Sequence, residues 1–95
     1  MIEYLYDAIR AVAGQEFEVN AVIANPDGSF VTEGCCFMLH DGERMIETPG
    51  SFMAESGMWS FIVPASSTAG MNGRYEYCIM ANGKNLCFKQ PIYLV

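Results

Sequence analysis

Four cysteines, Cys35, Cys36, Cys78 and Cys87, and the single histidine, His40, are the residues of this chain best suited to covalent or metal chemistry. A thiol beside an imidazole makes a nucleophile, because the imidazole takes the proton and leaves the sulfur anionic. Cys36 and His40 share one face of an extended segment. Four residues at about 3.3 Å each nevertheless separate them by roughly 13 Å, beyond hydrogen-bond reach. His40 directly precedes Asp41-Gly42 and reads as a solvent-facing hairpin residue. A zinc site needs converging thiolates, whereas the adjacent Cys35 and Cys36 send their side chains to opposite faces of a strand. What remains for metal is a mixed Cys/His arrangement drawing on Cys35, Cys78 and Cys87. The expectation is no metal and no cofactor. Glu16, Glu18, Glu33, Asp41, Glu43, Glu47, Glu55 and Glu76 fall at turns or on solvent-facing positions, which is a solvating surface rather than a carboxylate pair for glycoside chemistry. No glycine-rich phosphate loop is present.

The elements that would hold these residues follow from the punctuation. Nine glycines and four prolines separate short runs rich in Val, Ile, Phe, Tyr and Thr that alternate with period two, the pattern of an all-β sandwich or barrel. Phe17, Val19, Ala21 and Ile23 share one face, opposite Glu16, Glu18 and Asn20, and the run closes at Asn25-Pro26-Asp27-Gly28. A second strand runs from about Cys35 to His40, with Asp41-Gly42 as a two-residue turn into Arg44 to Glu47. Trp59, Phe61 and Val63 face the core in a third run ended by Pro64, and residues 65–72 read as a long connection between sheets.

The last hairpin is the sharpest reading. Asn82-Gly83 supplies a type I′ turn, and the arithmetic pairs Ala81 with Lys84, Ile79 with Leu86, Cys78 with Cys87 and Tyr77 with Phe88. Its aromatic and aliphatic face is the core face, and the face carrying Glu76, the two cysteines and Lys89 looks to solvent. Cys78 and Cys87 would then be a close cross-strand pair, read as reduced thiols, with a strained bridge as the alternative. Near the N-terminus the reading is a strand around Ile9 to Ala13, broken by Gly14, with a helical stripe of Leu5, Ile9 and Val12 as the alternative. About seven antiparallel strands with a tryptophan mid-chain give an immunoglobulin-like β-sandwich spanning 1–95 as one domain, with a small barrel as the alternative.

Composition limits the partners. The chain has 95 residues, 52% apolar and 17% charged, enough to bury a two-layer core. Its charge is −6, and the five cations are scattered along the sequence, so neither nucleic acid nor an anionic membrane surface is an expected partner. There is no apolar run long enough to cross a membrane as a helix and no basic start of a signal peptide, so synthesis in a cytoplasm is expected. Of the seven methionines, Met38, Met45, Met58 and Met80 lie on or near strands. Some of these should fill the core and others line an adaptable surface.

The segment Gly73-Arg74-Tyr75-Glu76-Tyr77-Cys78 resembles the tyrosine corner of immunoglobulin-type domains, with Tyr75 as the corner tyrosine. The antibody arrangement of two core cysteines around a tryptophan is not matched, since Cys35 and Cys36 are adjacent and Cys78 falls on the other face. The order G-x-E-F-x-V, D-G-S-F, G-M-W-S-F-I-V-P, A-G-M-N-G-R-Y-E-Y and N-G-K-N-L-C-F-K-Q-P-I-Y-L-V resembles, over nearly the whole chain, the small immunoglobulin-like domains of tailed-bacteriophage virion proteins. Among such domains it is similar to the N-terminal domain of the baseplate upper protein family. The resemblance implies a virion part, a capsid decoration or a tail or baseplate component, with no catalytic residues to carry over. It also implies docking on other virion proteins or self-association.

The segments at the two ends are apolar on both faces. Tyr4, Tyr6, Ile92, Tyr93 and Val95 are the candidate interface, because the first and last strands of such a sandwich tend to be neighbours. The competing reading is a carbohydrate- or cell-surface-binding module in which Trp59, Tyr4 or Tyr6 stacks on a sugar. A redox or metal enzyme would instead need a thiol of lowered pKa.

Overall fold

The computed structural model describes residues 8–25, 27–81, 84–85 (backbone only) and 89–95. The chain is all-β. Its strands are β1 (Ile9–Ala11), β2 (Phe17–Val22), β3 (Cys35–Asp41), β4 (Arg44–Pro49), β5 (Ser51–Met53), β6 (Met58–Val63), β7 (Gly73–Ala81), β8 (Lys84–Asn85) and β9 (Gln90–Leu94). One short helix, α1 (Ala65–Thr68), lies in the connection from β6 to β7. The larger sheet runs β1-β9-β7-β3-β4, with β8 paired to β7, and the smaller runs β2-β6-β5.

Period-two alternation becomes burial. Val19, Ala21 and Ile23 of the β2 run, Trp59, Phe61 and Val63 of β6, and Phe37, Leu39, Tyr77, Ile79, Ile92 and Leu94 of the larger sheet share one core. Aromatic rings join the sheets: Phe37 stacks on Tyr77 at 5.1 Å and meets Phe61 of the opposite sheet at 6.2 Å. Trp59 stacks on Phe61 at 6.1 Å, and its indole N–H donates to the Val31 carbonyl at 2.6 Å, so the one polar atom of a buried ring is satisfied. Gly50 lets β4 turn into β5 directly over these rings; a Cβ there would lie 2.5 Å from Phe61 and 2.8 Å from Trp59. Thr68, fully buried on α1, accepts the Gly14 N–H at 3.0 Å and ties the connection to the β1–β2 turn.

Three expectations shift. The β3–β4 loop is Gly42-Glu43, because Asp41 already pairs with Arg44, and Gly42 takes a φ of 61°. In the last hairpin Ala81 faces Lys84 and Met80 faces Asn85, but Tyr77 pairs with Gln90, not with Phe88. Between the Met80–Asn85 and Tyr77–Gln90 pairs the register therefore shifts by two residues. An even slip preserves which side chains face inward, so the core tolerates it. The sheet is also not wholly antiparallel: β1 pairs with β9 in parallel, Ile9 with Ile92, Arg10 with Tyr93 and Ala11 with Leu94. The ladder continues beyond the strands through Val95 N–H to Ala11 O and Ala13 N–H to Val95 O.

Candidate functional site

Positions that alternate with the core residues of the larger sheet form its outer face, and chemistry gathers there in two adjoining regions. The first lies over β1, β9 and β7. Arg10 is level with Tyr93, which is level with Arg74, so two arginines flank one tyrosine across three strands. The Arg10 guanidinium carbon sits 6.0 Å from the Tyr93 ring centroid, within cation–π range. Tyr93 is 38% exposed, and Val12 and Val95, brought together by the parallel ladder, are 46% and 78% exposed. Lys89 is exposed just ahead of β9. Among the described residues the only ion pair is Arg44 with Asp41 at 3.2 Å, so Arg10, Arg74 and Lys89 have no carboxylate partner among them.

Of the expected interface residues, Tyr93 and Val95 are thus on the surface together, on strands that are neighbours. Ile92 is not: it faces inward, fully buried between Ile9 and Tyr75, because the segment alternates strictly. Tyr4 and Tyr6 lie outside the described residues. The Tyr75 hydroxyl accepts the Asn72 N–H at 3.1 Å and donates to the Asn72 carbonyl at 3.3 Å, fastening the loop that leads into β7.

The second region lies over β3 and β7, where Cys36, Met38 and His40 face Met80, Cys78 and Glu76 respectively. This face was expected to look to solvent, yet Met38 and Cys78 are each only 2% exposed, and His40 is half-buried instead of solvated. His40 meets a sulfur that local spacing did not offer: its Nε2 lies 3.3 Å from Cys78 Sγ on the neighbouring strand. Burial, with help from Lys89 and against Glu76, moves the His40 pKa down. Burial and then Glu47 push the Cys36 thiol up. Cys35, on the core side, is pushed up to about 11 by burial and its neighbour Cys36. Both shifts run opposite to the lowered pKa that a nucleophilic thiol needs. The pairing of Cys78 with Cys87 lies outside the described residues.

Elsewhere Trp59, 3% exposed, offers no stacking surface for a sugar. Among the described residues no three of His, Cys, Asp and Glu converge as a metal-binding group, and no helix is long and apolar enough to cross a membrane. A hollow over the β5–β6 turn is lined by Met53, Ala54, Glu55 and Ser56, with Glu55 the one carboxylate among its described lining residues. Comparison with known proteins finds no match: no family model fits the chain, and no curated protein or solved structure is significantly similar to it.

Proposed function

We propose that this chain is a non-catalytic, immunoglobulin-like module that docks on an acidic segment of a protein partner through the outer face of β1, β9 and β7. The observation that carries the reading is the row Arg10–Tyr93–Arg74, with Lys89 nearby, in a chain whose net charge is −6. Cations without carboxylate partners among the described residues, beside an exposed aromatic ring, suit a protein interface, where Tyr and Arg supply much of the binding energy. Steering follows from charge as well: a partner carrying carboxylates is drawn to this face and repelled by the acidic remainder.

The immunoglobulin-like assignment is supported by strand order. The smaller sheet, β2-β6-β5, corresponds to strands B, E and D, and β9-β7-β3-β4 to G, F, C and C′, with β1 moved across to pair with the last strand. The Tyr75–Asn72 bonds are consistent with a tyrosine corner. The motif resemblance to virion domains of tailed phages makes a phage particle the assembly of choice, with the module as a capsid decoration or a tail or baseplate part.

The reading is tested by placing a photo-crosslinking amino acid at position 93, and separately at position 62 of the smaller sheet, in the chain as its own cell makes it. Position 93 should give a crosslink to one defined protein, at an acidic segment, and position 62 should not. Equal yields from both positions would sink the proposal.

A further inference from the structure

β1 ends the larger sheet: β9 pairs with one side of it, and among the described residues no strand pairs with the other. The parallel ladder fixes which backbone groups face the open side. Val95 donates to the Ala11 carbonyl and accepts the Ala13 N–H, so those two groups turn toward β9. Backbone groups alternate along a strand, and those of Arg10 and Val12 therefore turn away. The Val12 carbonyl accepts the Gln15 N–H at 3.3 Å, which leaves the Arg10 N–H, the Arg10 carbonyl and the Val12 N–H aimed along the edge. On its outer face this edge carries the exposed side chains of Arg10 and Val12, and on its inner face the partly buried Ile9, Ala11 and Ala13.

We propose that the acidic partner segment docks as an added β-strand along the open edge of β1, with a carboxylate beside Arg10 and apolar residues at alternate positions. The inference rests on the docking reading and specifies the form of the partner. An edge strand offers its outward N–H and C=O groups to another chain; these main-chain bonds hold the guest, and its alternate side chains select it. The outward residues of the guest lie on the face of the row Arg10–Tyr93–Arg74, so its carboxylate extends that row by one strand, while its inward residues cover Ile9 and Ala11. Arg10, with no carboxylate partner among the described residues, repels a basic strand and attracts an acidic one. β4 and β2, which end the sheets elsewhere, would turn such a guest away. β4 carries the exposed Glu47 and closes on Pro49, which has no N–H to give, and β2 carries the exposed Glu18.

The test adds a short peptide alternating valine and aspartate to the isotope-labelled full chain and reads amide hydrogen exchange by NMR. With the peptide bound, the Arg10 and Val12 amides should exchange more slowly by about tenfold or more. A peptide alternating valine and lysine, and one with the valines and aspartates in two separate blocks, should leave both amides unchanged. Val12→Pro deletes an edge N–H that takes no part in the β1–β9 ladder, and should weaken binding of the first peptide by about tenfold or more with the melting curve in place. If the first peptide does not bind, or binds while both amides exchange as in the chain alone, the strand mode is wrong. A crosslink from position 93 to an acidic segment would then still uphold the docking reading, whose own failure is the absence of that crosslink. Slow exchange at both amides before any peptide is added would show the edge already taken, by a second copy or by residues 1–6, and would equally overturn the inference.

Discussion

The two faces of the larger sheet are made by the same strands and have nothing chemically in common. Inward, Phe37, Leu39, Tyr77, Ile79, Ile92 and Leu94 are buried and interlock with Trp59, Phe61 and Val63 of the smaller sheet. Outward, the neighbouring positions carry Arg10, Arg74 and Tyr93 at one side and Cys36, Met38, His40 and Cys78 toward the centre. Every second residue therefore serves the scaffold, and of the residues between, Arg10, Arg74 and Tyr93 stand exposed for recognition. Function can change on such a sheet without disturbing the fold, provided the alternation is kept.

Truncation should affect the two faces unequally. The largest loss of stability is expected for Phe37→Ala, which removes a ring that touches both Tyr77 and Phe61. Chemical denaturation should show about 3–5 kcal/mol lost, enough to unfold much of the population. Gly50→Ala should cost about 1–3 kcal/mol, because the new methyl overlaps the Phe61 and Trp59 rings and overpacks the core. A tolerance equal to that of an exposed position would show that the rings are loosely held. Thr68→Val keeps the shape of the side chain and removes the acceptor for the Gly14 N–H, with about 1–2 kcal/mol expected in the same assay.

The smallest effect sharpens the contrast from a loop. The Ser29 hydroxyl and backbone N–H both donate to the Asp27 carboxylate and lower its pKa below the ordinary 3.8. Such a group favours the folded state above the unfolded value, and that contribution is lost as pH falls through the lowered folded value. The stability difference between the parent chain and Asp27→Ala should therefore shrink in acid below about pH 4 and stay constant above pH 5. Because the carboxylate is fully exposed, the difference should be slight at any pH.

How much of this was legible beforehand depends on whether the determinant was local. The facing of Phe17 to Ile23, the core position of Trp59 and the Ala81–Lys84 closure follow from period two and from Asn82-Gly83, each readable within a few residues. Two offsets escaped because turns permit neighbours: the β3–β4 loop begins one residue later than Asp41-Gly42 suggests, and Tyr77 pairs with Gln90, two residues beyond the expected Phe88. Ile92 was read as surface because apolar residues crowd the segment, although strict alternation places it in the core. The approach of His40 to Cys78 was out of reach. It arises from the β3–β7 pairing, 38 residues apart, and no spacing along one strand announces a neighbour supplied by another.

The central claim is that the outward residues of β1, β9 and β7 bind while the inward ones fold. It is tested most directly by the double charge reversal Arg10→Glu with Arg74→Glu, assayed for thermal melting and for the crosslink from position 93. The account predicts a melting midpoint within about 2–4 °C of the parent chain, since both side chains are exposed and lack carboxylate partners among the described residues, together with loss of the crosslink. An undiminished crosslink, or a crosslink lost only along with the fold, would contradict it.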